Sequence, residues 1–353
     1  MKRYFQVTPS FKELATGRTS KTPRLDDVSS VDGCPLSFVT FNVNSLNARL
    51  KAGELTAFSN FIKTHNPDFI SLQEVRLPAE SKTLRDRISP KFSDTRAIQR
   101  FIESNFGDYV AYWSLADKGY AGTLTLIRRT MAPKSIQFNL EQINGDGSGH
   151  HPEGRISVCV YDGFTILSTY SPNNGRTEQS LQRRLQWDQA IYDKLTGFRK
   201  SGIEFIWLGD LNVAPTRCDM SHPNFYKQRD QPGCTDAEQE RHQRLLTDAD
   251  AVDAYRFLNP AKLPGPGELF DGHTWRGHDS GMYNRKTMRI DHFVVSKSLA
   301  SRIKICITHG PHEWTSFFGS DHCPVRLVLN PNPSVPTSDS DQATSHKAES
   351  TIS

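Results

Sequence analysis

Long hydrophobic runs are absent from this sequence of 353 residues. The longest unbroken apolar stretch is Tyr109–Trp113, whereas a transmembrane helix needs roughly 20 such residues. The N-terminal region lacks an apolar segment of about 7 to 15 residues, so we expect no secretory signal peptide. The 36% of hydrophobic residues still suffice for a large core. These features exclude integral membrane, collagen-like and wholly disordered proteins.

The sequence has no C-x-x-C pair, although it contains six cysteines. Their wide scatter predicts neither a zinc site nor a disulfide scaffold and indicates a reducing compartment. H-E-x-x-H, G-x-S-x-G, G-x-G-x-x-G and the P-loop are missing too, and the glycine-rich segment 145–149 fits none of them. Metal-assisted attack on phosphorus is therefore favoured over acyl transfer and nucleotide-dependent chemistry.

A large excess of charge of one sign is also absent. The 43 Lys and Arg residues against 39 Asp and Glu residues give a formal net charge of +4. Positive charge collects in residues 1–24, residues 331–353 are acidic on balance, and the rest of the chain is close to neutral. A bound polyanion must then meet a local basic patch rather than a uniformly positive surface.

The two ends of the chain differ in composition from its centre. Residues 1–36 are basic and rich in hydroxyl groups, and we expect a disordered arm there. Residues 331–353 contain few large apolar side chains, so we expect a disordered tail. The basic arm favours a nuclear protein, with a mitochondrial or other organelle transit segment as the alternative.

Short β-branched or aromatic runs alternate with longer amphipathic segments along the centre of the chain. The runs are predicted as strands at 37–43, 68–73, 122–127, 156–162, 165–171, 204–210, 290–296 and 325–330. The amphipathic segments are predicted as helices at 53–65, 95–105, 178–198 and 235–254. This alternation predicts an α/β domain with sheets buried between helical layers.

Polar residues cluster directly after several predicted strands. They are Asn42 and Asn44, Gln73 and Glu74, Tyr170 to Asn174, and Asp210 and Asn212. In α/β sheets, ligands bind outside the carboxyl ends of the strands. We therefore expect the functional site at this edge.

Two carboxylates are the main candidates for chemistry at this edge. Asp210 follows an apolar strand and a glycine, where it could activate water, and Asn212 points to the same side of an extended chain. A turn that merely closes the strand is the alternative. Glu74 with the amide of Asn44 suits Mg²⁺, which takes one or two carboxylates and keeps several waters. Taken alone, Glu74 is more simply a surface or helix-capping residue.

His322 is the candidate histidine of the site. Its neighbour Asp321 is poorly placed to pair with it, so His322 needs a distant carboxylate to fix its tautomer. Asp291 is the candidate partner. A lone histidine is more often a surface or core residue, and His292 is assigned to that class.

Six ordered blocks together carry a specific resemblance. They are Asn42-Val43-Asn44, Leu72-Gln73-Glu74, Tyr170 to Arg176, Gly209 to Ala214, Arg289-Ile290-Asp291 and Gly319 to Pro324. Their order and spacing closely resemble the exonuclease III family of apurinic/apyrimidinic (AP) endonucleases, within the endonuclease/exonuclease/phosphatase superfamily. The resemblance covers residues 37–330, which we expect to form the catalytic domain.

The resemblance implies a fold and an activity. The fold is a four-layered α/β sandwich of the DNase I type, with two β-sheets face to face and helices outside. The activity is a Mg²⁺-dependent cut, with Mn²⁺ as a second option, on the 5′ side of an abasic site in double-stranded DNA. The products are a 3′-hydroxyl and a 5′-deoxyribose phosphate, as in base excision repair. Activity as a 3′-phosphodiesterase or 3′→5′ exonuclease is a further option.

The resemblance also implies roles for individual residues. Glu74 is similar to the principal metal ligand, with Asn44 and Asp321 as secondary metal-site residues. Asp210 resembles the residue that orients or deprotonates the attacking water. His322, supported by Asp291, resembles the residue that meets the phosphate oxygens, and Asn212 and Tyr170 add hydrogen bonds to the same group. Asn44 stands where some members have Asp, which should weaken any second cation site.

Substrate contacts are expected from the loops around this centre. By the same resemblance, the candidates are Asn42, Asn173 and Arg176 for DNA, Trp275, Met288 and Ile290 for an apolar pocket that receives the base-free sugar, and Met282 as a wedge in the duplex. Extruding a nucleotide costs least where pairing is already missing, which favours abasic sites. For Met282, an ordinary loop methionine is an equal alternative. Basic residues at 183, 184, 285, 286 and 289 are candidates for phosphate contacts or for a solvated surface.

Two other functions stay open on the sequence alone. The same catalytic core could act on RNA, a phospholipid or an inositol phosphate, or the fold could bind DNA without cutting it. Because every catalytic position holds a competent residue, the binding protein ranks last. We expect a monomer without a membrane partner.

Overall fold

The computed structural model describes residues 33–80, 90–140, 150–262, 272–310 and 317–332. The expected N-terminal arm and C-terminal tail lie almost wholly outside the described residues, and so does segment 145–149. The boundaries assigned to the arm, the catalytic domain and the tail therefore stay predictions.

Strands and helices alternate through the described residues. The strands are β1 (Ser37–Asn42), β2 (Phe69–Gln73), β3 (Tyr109–Ser114), β4 (Thr123–Arg128), β5 (Ser135–Gln137), β6 (Ile156–Val160), β7 (Phe164–Tyr170), β8 (Glu204–Asp210), β9 (Ala251–Asp253), β10 (Trp275–Arg276), β11 (Thr287–Met288), β12 (Asp291–Ser296), β13 (Ile303–Thr308) and β14 (Val325–Leu329). The α-helices are α1 (Leu46–Lys51), α2 (Glu54–His65), α3 (Phe92–Asn105), α4 (Glu178–Lys200), α5 (Pro223–Lys227), α6 (Asp236–Asp248) and α7 (Ala254–Leu258). Short 3₁₀ helices lie at Arg129–Met131, Arg217–Asp219 and Lys297–Arg302.

The strands form two six-stranded sheets and a small ribbon. The first sheet has the order β13-β14-β1-β2-β4-β3, and the second has the order β5-β6-β7-β8-β12-β9. Each sheet is antiparallel apart from one central parallel pair, β1 with β2 and β7 with β8. Strands β10 and β11 form the separate ribbon.

The two sheets face each other across a shared apolar core. Phe38 and Phe69 of the first sheet belong to the same cluster as Ile206 and Phe293 of the second. The rings of Phe38 and Phe293 lie 6.4 Å apart between centroids. This contact between aromatic side chains of different sheets fixes their spacing.

Helices cover the outer face of each sheet. On the first sheet, alternate side chains such as Phe41 pack against Phe58 of α2. On the second, Trp207 packs with Ile191 of α4 and Leu245 of α6. Because both faces of each sheet are covered, the central strands are buried on both sides. The predicted four-layered α/β sandwich is confirmed.

The structure contains several elements that were not predicted, among them strands at the edges of the sheets. Strand β3 lies at an edge of the first sheet and half-exposes its centre, so its side chains do not follow the pattern of a fully buried strand. The opposite edge strand, β13, is half-exposed too and was likewise not predicted. The predicted helix 235–254 ends at Asp248 because Asp250 turns left-handed, with φ of 50°. The chain then pairs as β9 with β12.

Strand register brings the predicted polar residues to one edge of the sandwich. In the first sheet, Asn42 pairs with Gln73, so Glu74 follows directly beside β1. In the second, Asp210 pairs with Tyr170 on one side and with Asp291 on the other. Carboxylates from three strand ends therefore meet at this edge.

Gly209 permits this arrangement, since its φ of 135° suits glycine and its backbone approaches β7 closely. A Cβ at this position would lie 1.8 Å from the carbonyl oxygen of Thr169. Gly209→Ala should therefore lower the free energy of unfolding by at least about 2 kcal/mol, measured by urea denaturation. Gly197→Ala is the control, because a Cβ there meets nothing within 4 Å in a helix. It should be neutral or stabilise by up to about 1 kcal/mol; equal effects of the two changes would contradict the prediction.

Candidate active site

The side chain of Asn42 joins the two sheets at the site. Its Nδ2 donates one hydrogen bond to Glu74 Oε1 at 2.9 Å and another to Asp210 Oδ2 at 2.9 Å. Its Oδ1 accepts from the backbone N–H of Asn44 at 3.0 Å. Asn42 is fully buried, and both of its amide protons are used. The Nδ2 atom of Asn42 therefore binds two carboxylates from different sheets. In this arrangement Asn42 orients the carboxylates, whereas the sequence predicted a contact with DNA.

Glu74 is held by donors on both of its oxygens. Besides Asn42, the hydroxyl of Tyr170 donates to Oε1 at 2.8 Å, and Arg76 donates to Oε2 through Nε at 3.0 Å and Nη2 at 2.5 Å. Burial alone would raise the pKa of Glu74, but the hydrogen bond from Asn42, the charge of Arg76 and the bond from Tyr170 outweigh it and lower the pKa. Glu74 is thus an anion at neutral pH. In this arrangement Tyr170 orients Glu74.

His322 and Asp291 form a buried pair beside Asp210. The Nδ1 of His322 donates to Asp291 Oδ2 at 2.8 Å, and its Nε2 lies 3.9 Å from Asp210 Oδ2. The partner predicted for His322 is therefore next to it in the structure. Among the described residues, Asp291 Oδ1 is buried without a hydrogen-bond partner.

The charges of these three residues shift their protonation equilibria. Burial by itself would lower the pKa of His322, but the adjacent Asp291 carboxylate outweighs it and raises the pKa to about 10. Burial, with the nearby charge of Asp291, raises the pKa of Asp210 to about 7. His322 is therefore a cation at neutral pH, and Asp210 exchanges a proton readily there.

Asp321 and Asn44 form a further polar pair at the site. Asn44 Nδ2 donates to Asp321 Oδ1 at 2.8 Å, and the indole N–H of Trp275 donates to Asp321 Oδ2 at 3.1 Å. The two predicted secondary metal-site residues are thus in contact. The indole N–H of Trp275 therefore orients the Asp321 carboxylate.

Asn212 lies directly behind Asp210. Its backbone N–H donates to Asp210 Oδ1 at 3.0 Å, and its Nδ2 donates to the Ser171 carbonyl at 2.9 Å. Asn173 Nδ2 in turn donates to Asn212 Oδ1 at 3.3 Å. The loops after β7 and β8 are therefore tied together at the point where Asp210 enters the site.

Several site residues have backbone conformations that are unusual for residues other than glycine. The φ angles of Asn44, Glu74 and Asn212 are 44°, 52° and 49°. Such left-handed conformations persist only where surrounding contacts enforce them, and they concentrate at functional sites. Here they turn the chain sharply after β1, β2 and β8 so that the side chains face one another.

Two arginines considered for phosphate contacts are instead buried in the scaffold. Arg184 donates to the carbonyls of Pro172, Leu211 and Asn212 at 3.0–3.1 Å. Arg289 is paired with Asp219 and Asp253, each at 2.7 Å. Both guanidiniums satisfy buried acceptors, so the expectation of a phosphate contact is wrong for them. Arg183 and Arg285 are exposed and stay candidates.

The expected substrate residues differ in accessibility. Met288 and Ile290 are each only 5% exposed and pack in a cluster against which Trp275 lies. Both side chains therefore lie in the core and not on the surface of the protein. Met282 is 50% exposed, and Asn173 and Arg176 are exposed on the loop after β7.

Sequence reasoning missed several residues that hold the site. Ser320 Oγ donates to the Asn42 carbonyl at 2.7 Å and accepts from the His322 N–H at 3.2 Å. Arg155 lies under the Tyr170 ring, 4.3 Å from its centroid, and donates to the Tyr170 carbonyl at 3.0 Å. Ser320 belongs to the block Gly319 to Pro324, which carries the family resemblance. Arg76 was missed as well, with no signal beyond its place two residues after Glu74.

The residues present suit a divalent cation. Among the described residues, the ligand atoms of Asp210, Asp291 and His322 lie within 4.8 Å of one another. Glu74 and Asp321 add carboxylates nearby, and hard cations such as Mg²⁺ prefer oxygen ligands. Within the described part of the chain, Asp291 Oδ1 is buried without a hydrogen-bond partner, which leaves an oxygen acceptor at this centre. His322, as a cation, would not itself be a ligand.

Comparison with known proteins identifies the class. Residues 39–322 match the Endonuclease/Exonuclease/phosphatase family. The chain belongs to this family, and the resemblance predicted from the sequence is confirmed. None of the helices in the described residues is long and apolar enough to cross a membrane.

Individual relatives are similar to this chain over most of its length. The chain is 35% identical over 363 residues to a DNA-(apurinic or apyrimidinic site) endonuclease of Arabidopsis thaliana, covering 94% of this chain and 96% of the relative. It is 28% identical to an exodeoxyribonuclease of Bacillus subtilis, covering 84% of this chain and all of the relative. The crystal structure of an AP endonuclease from Leishmania major matches with a TM-score of 0.65 at 23% identity, over 85% of this chain and 89% of that one. At that identity, the structural match supports the fold alone.

The pairing of His322 with Asp291 gives a prediction about protonation. In metal-free wild-type protein, the imidazole should stay charged through pH 8, since its pKa is raised to about 10. Asp291→Asn removes the charge that raises this pKa, which should fall by roughly 1 to 3 pH units. NMR titration of the imidazole nitrogens measures both values, with the partly exposed His222 as the control. A wild-type midpoint near 6.5 would contradict the assignment.

The same shift gives a dependence of stability on pH. Because the pKa of His322 is higher in the folded state than the ordinary value of about 6.5, its contribution to stability is complete below that pH. The contribution is lost as the pH rises toward about 10. Wild-type protein in EDTA should therefore lose more stability between pH 6.5 and 10 than the Asp291→Asn variant. Urea denaturation across this range measures the difference, and parallel pH profiles would argue against it.

Proposed function

We propose that this protein is a metal-dependent AP endonuclease that hydrolyses the phosphodiester on the 5′ side of an abasic site in double-stranded DNA. The products would be a 3′-hydroxyl and a 5′-deoxyribose phosphate, and the process would be base excision repair. The observation that carries the proposal is the Asn42 amide, which holds Glu74 and Asp210 on one nitrogen beside the His322–Asp291 pair. The named activity of the Arabidopsis relative supports the substrate.

Asp210 is the group that accepts the proton of the attacking water. Its pKa, raised to about 7, lies where a general base is most effective at neutral pH. Asn42 and the Asn212 N–H each donate to one of its oxygens, which fixes the direction of the carboxylate. Asp210 is thus both oriented and ready to take up a proton.

His322 supplies positive charge to the phosphate. As a buried cation held by Asp291, it can donate from Nε2 to an oxygen on which negative charge develops. Because the imidazole is already oriented, little reorganisation is needed during the reaction. The second amide proton of Asn212 is available for the same oxygens.

Glu74, with Asn44 and Asp321, would hold the divalent cation, which we propose to be Mg²⁺ with Mn²⁺ as a substitute. The ion would offset negative charge on the phosphate oxygens. Because Asn44 adds no charge to the carboxylates of Glu74 and Asp321, the site favours one such ion over two.

Recognition of DNA is assigned to the exposed loops. Asn173 and Arg176 follow β7, and Asn173 also touches Asn212, so a contact to the DNA backbone there would be linked directly to the site. Trp275, Met288 and Ile290 would form the wall against which the base-free sugar packs, and Met282 is free to enter the duplex. The exodeoxyribonuclease relative supports 3′→5′ exonuclease activity as a second reaction of the same centre. The nuclear location and the monomeric state stay predictions.

Removing either central carboxylate should abolish cleavage. Asp210→Asn and Glu74→Gln should each lower the rate on a duplex with one abasic analogue by at least roughly 100-fold, and EDTA should stop wild-type cleavage until Mg²⁺ is restored. A gel assay under single-turnover conditions measures the rates. Asp162→Asn, which changes an aspartate with 78% of its side chain exposed, is the control and should be fully active. Full activity in either site variant would refute the mechanism. Faster cleavage of RNA or a phospholipid than of the abasic duplex would indicate a different substrate.

Arg176 should contribute to DNA binding without taking part in the chemistry. Arg176→Ala should raise KM for the abasic duplex several-fold with kcat nearly unchanged, because one phosphate contact is lost. The slope of log affinity against log salt concentration should fall by about 1. Arg199→Ala, an exposed arginine at the far end of α4, is the matched control. An unchanged salt slope in Arg176→Ala would remove this residue from the interface.

A further inference from the structure

Every acceptor position of Glu74 is filled by a donor of the protein. A carboxylate offers about four lone-pair sites. Asn42 and Tyr170 occupy Oε1, while Nε and Nη2 of Arg76 occupy Oε2. A cation that binds Glu74 must therefore displace one of these donors.

The donors differ in how readily they can leave. Asn42 is fully buried and Tyr170 is 8% exposed, and Asn42 also holds Asp210. The side chain of Arg76 is 42% exposed, against 15% for Glu74. Within the described residues, the hydrogen bonds of its guanidinium go to Glu74. Arg76 is therefore the donor that can move without disturbing the rest of the site.

The backbone of Arg76 is fixed although its side chain is exposed. Its N–H donates to the Ala121 carbonyl at 2.9 Å, and its φ of 52° follows the equally left-handed Glu74. This double turn directs the guanidinium back onto the carboxylate two residues earlier. The guanidinium of Arg76 therefore lies on Glu74 Oε2, the oxygen that a divalent cation would bind.

We propose that Arg76 is a positioning residue that occupies Oε2 of Glu74 in the metal-free enzyme and releases it when a divalent cation binds. The inference rests on the proposed function in one respect, which is the assignment of the ion to Glu74. Arg76 and the ion compete for one oxygen and repel each other. Arg76 thereby weakens binding of the ion while keeping Glu74 anionic and oriented in its absence.

An opposite role for Arg76 makes an opposite prediction. If the guanidinium only supported Glu74 as a ligand, its loss would let the carboxylate move and would weaken binding of the ion. Competition requires that the loss of Arg76 strengthens binding. The sign of the change in affinity therefore separates the two roles.

The test measures Mn²⁺ binding to the full chain without DNA, by the electron paramagnetic resonance signal of free Mn²⁺. Arg76→Gln should lower Kd by roughly tenfold, equivalent to about 1.4 kcal/mol. Arg76→Lys keeps the charge but loses the planar fork, and its Kd should lie between the wild-type and Arg76→Gln values. Stabilisation by Mn²⁺ in thermal unfolding should rise in the same order.

Two further variants make the outcome decisive. Arg244→Gln removes an arginine that is paired with Asp248 at 3.3 Å and 72% exposed, and its Kd should equal that of wild type. Glu74→Gln should lose the site. An unchanged or weaker Kd in Arg76→Gln, with binding still lost in Glu74→Gln, would overturn the role of Arg76 alone. Binding that survives in Glu74→Gln would overturn the assigned ion site, and with it this inference. Unfolding in EDTA shows that each variant is folded.

Discussion

The arrangement of the site depends on one buried amide. Asn42 ends a strand of the first sheet, yet it binds a carboxylate that follows the neighbouring strand and another that ends a strand of the second sheet. The distance between Glu74 and Asp210 is therefore set by how the two sheets pack. Aromatic contacts such as that between Phe38 and Phe293 are part of the catalytic geometry, although they lie in the core.

The carboxylates of Glu74, Asp210 and Asp291 lie close together and repel one another, and the surrounding protein offsets only part of this repulsion. Hydrogen bonds keep Glu74 ionised, and His322 neutralises part of the charge of Asp291. Asp210 retains a raised pKa, and the strand ends adopt left-handed backbone conformations. A site of this kind is stabilised by a cation and by an anionic phosphate with its counterion, which are the species a phosphodiesterase must bring together.

The sequence predicted the core layers and the principal side chains of the site, because both follow from local patterns. Buried strands are mainly apolar, and polar residues directly after predicted strands mark the edge where ligands bind, so Glu74 and Asp210 were both expected at that edge. Edge strands such as β3 were missed because half of their surface faces solvent. The burial of Arg184 and Arg289 could not be foreseen, since an arginine looks the same in sequence whether it is solvated or holds backbone carbonyls. The pairing of Arg76 with Glu74 depends on a left-handed turn at these two residues, and neither residue type predicts such a turn.

The buried arginine at position 289 has a consequence for how this protein can diverge. Its charge is balanced by Asp219, which closes a short 3₁₀ helix, and by Asp253, which ends an edge strand. Replacing Arg289 would break two buried ion pairs at once, and breaking even one such pair typically costs about 3 to 5 kcal/mol. Arg289, Asp219 and Asp253 should therefore change only together during evolution, whereas the exposed loops can change independently. A change in lesion preference would then arise by replacement of the loops while this buried cluster stays the same.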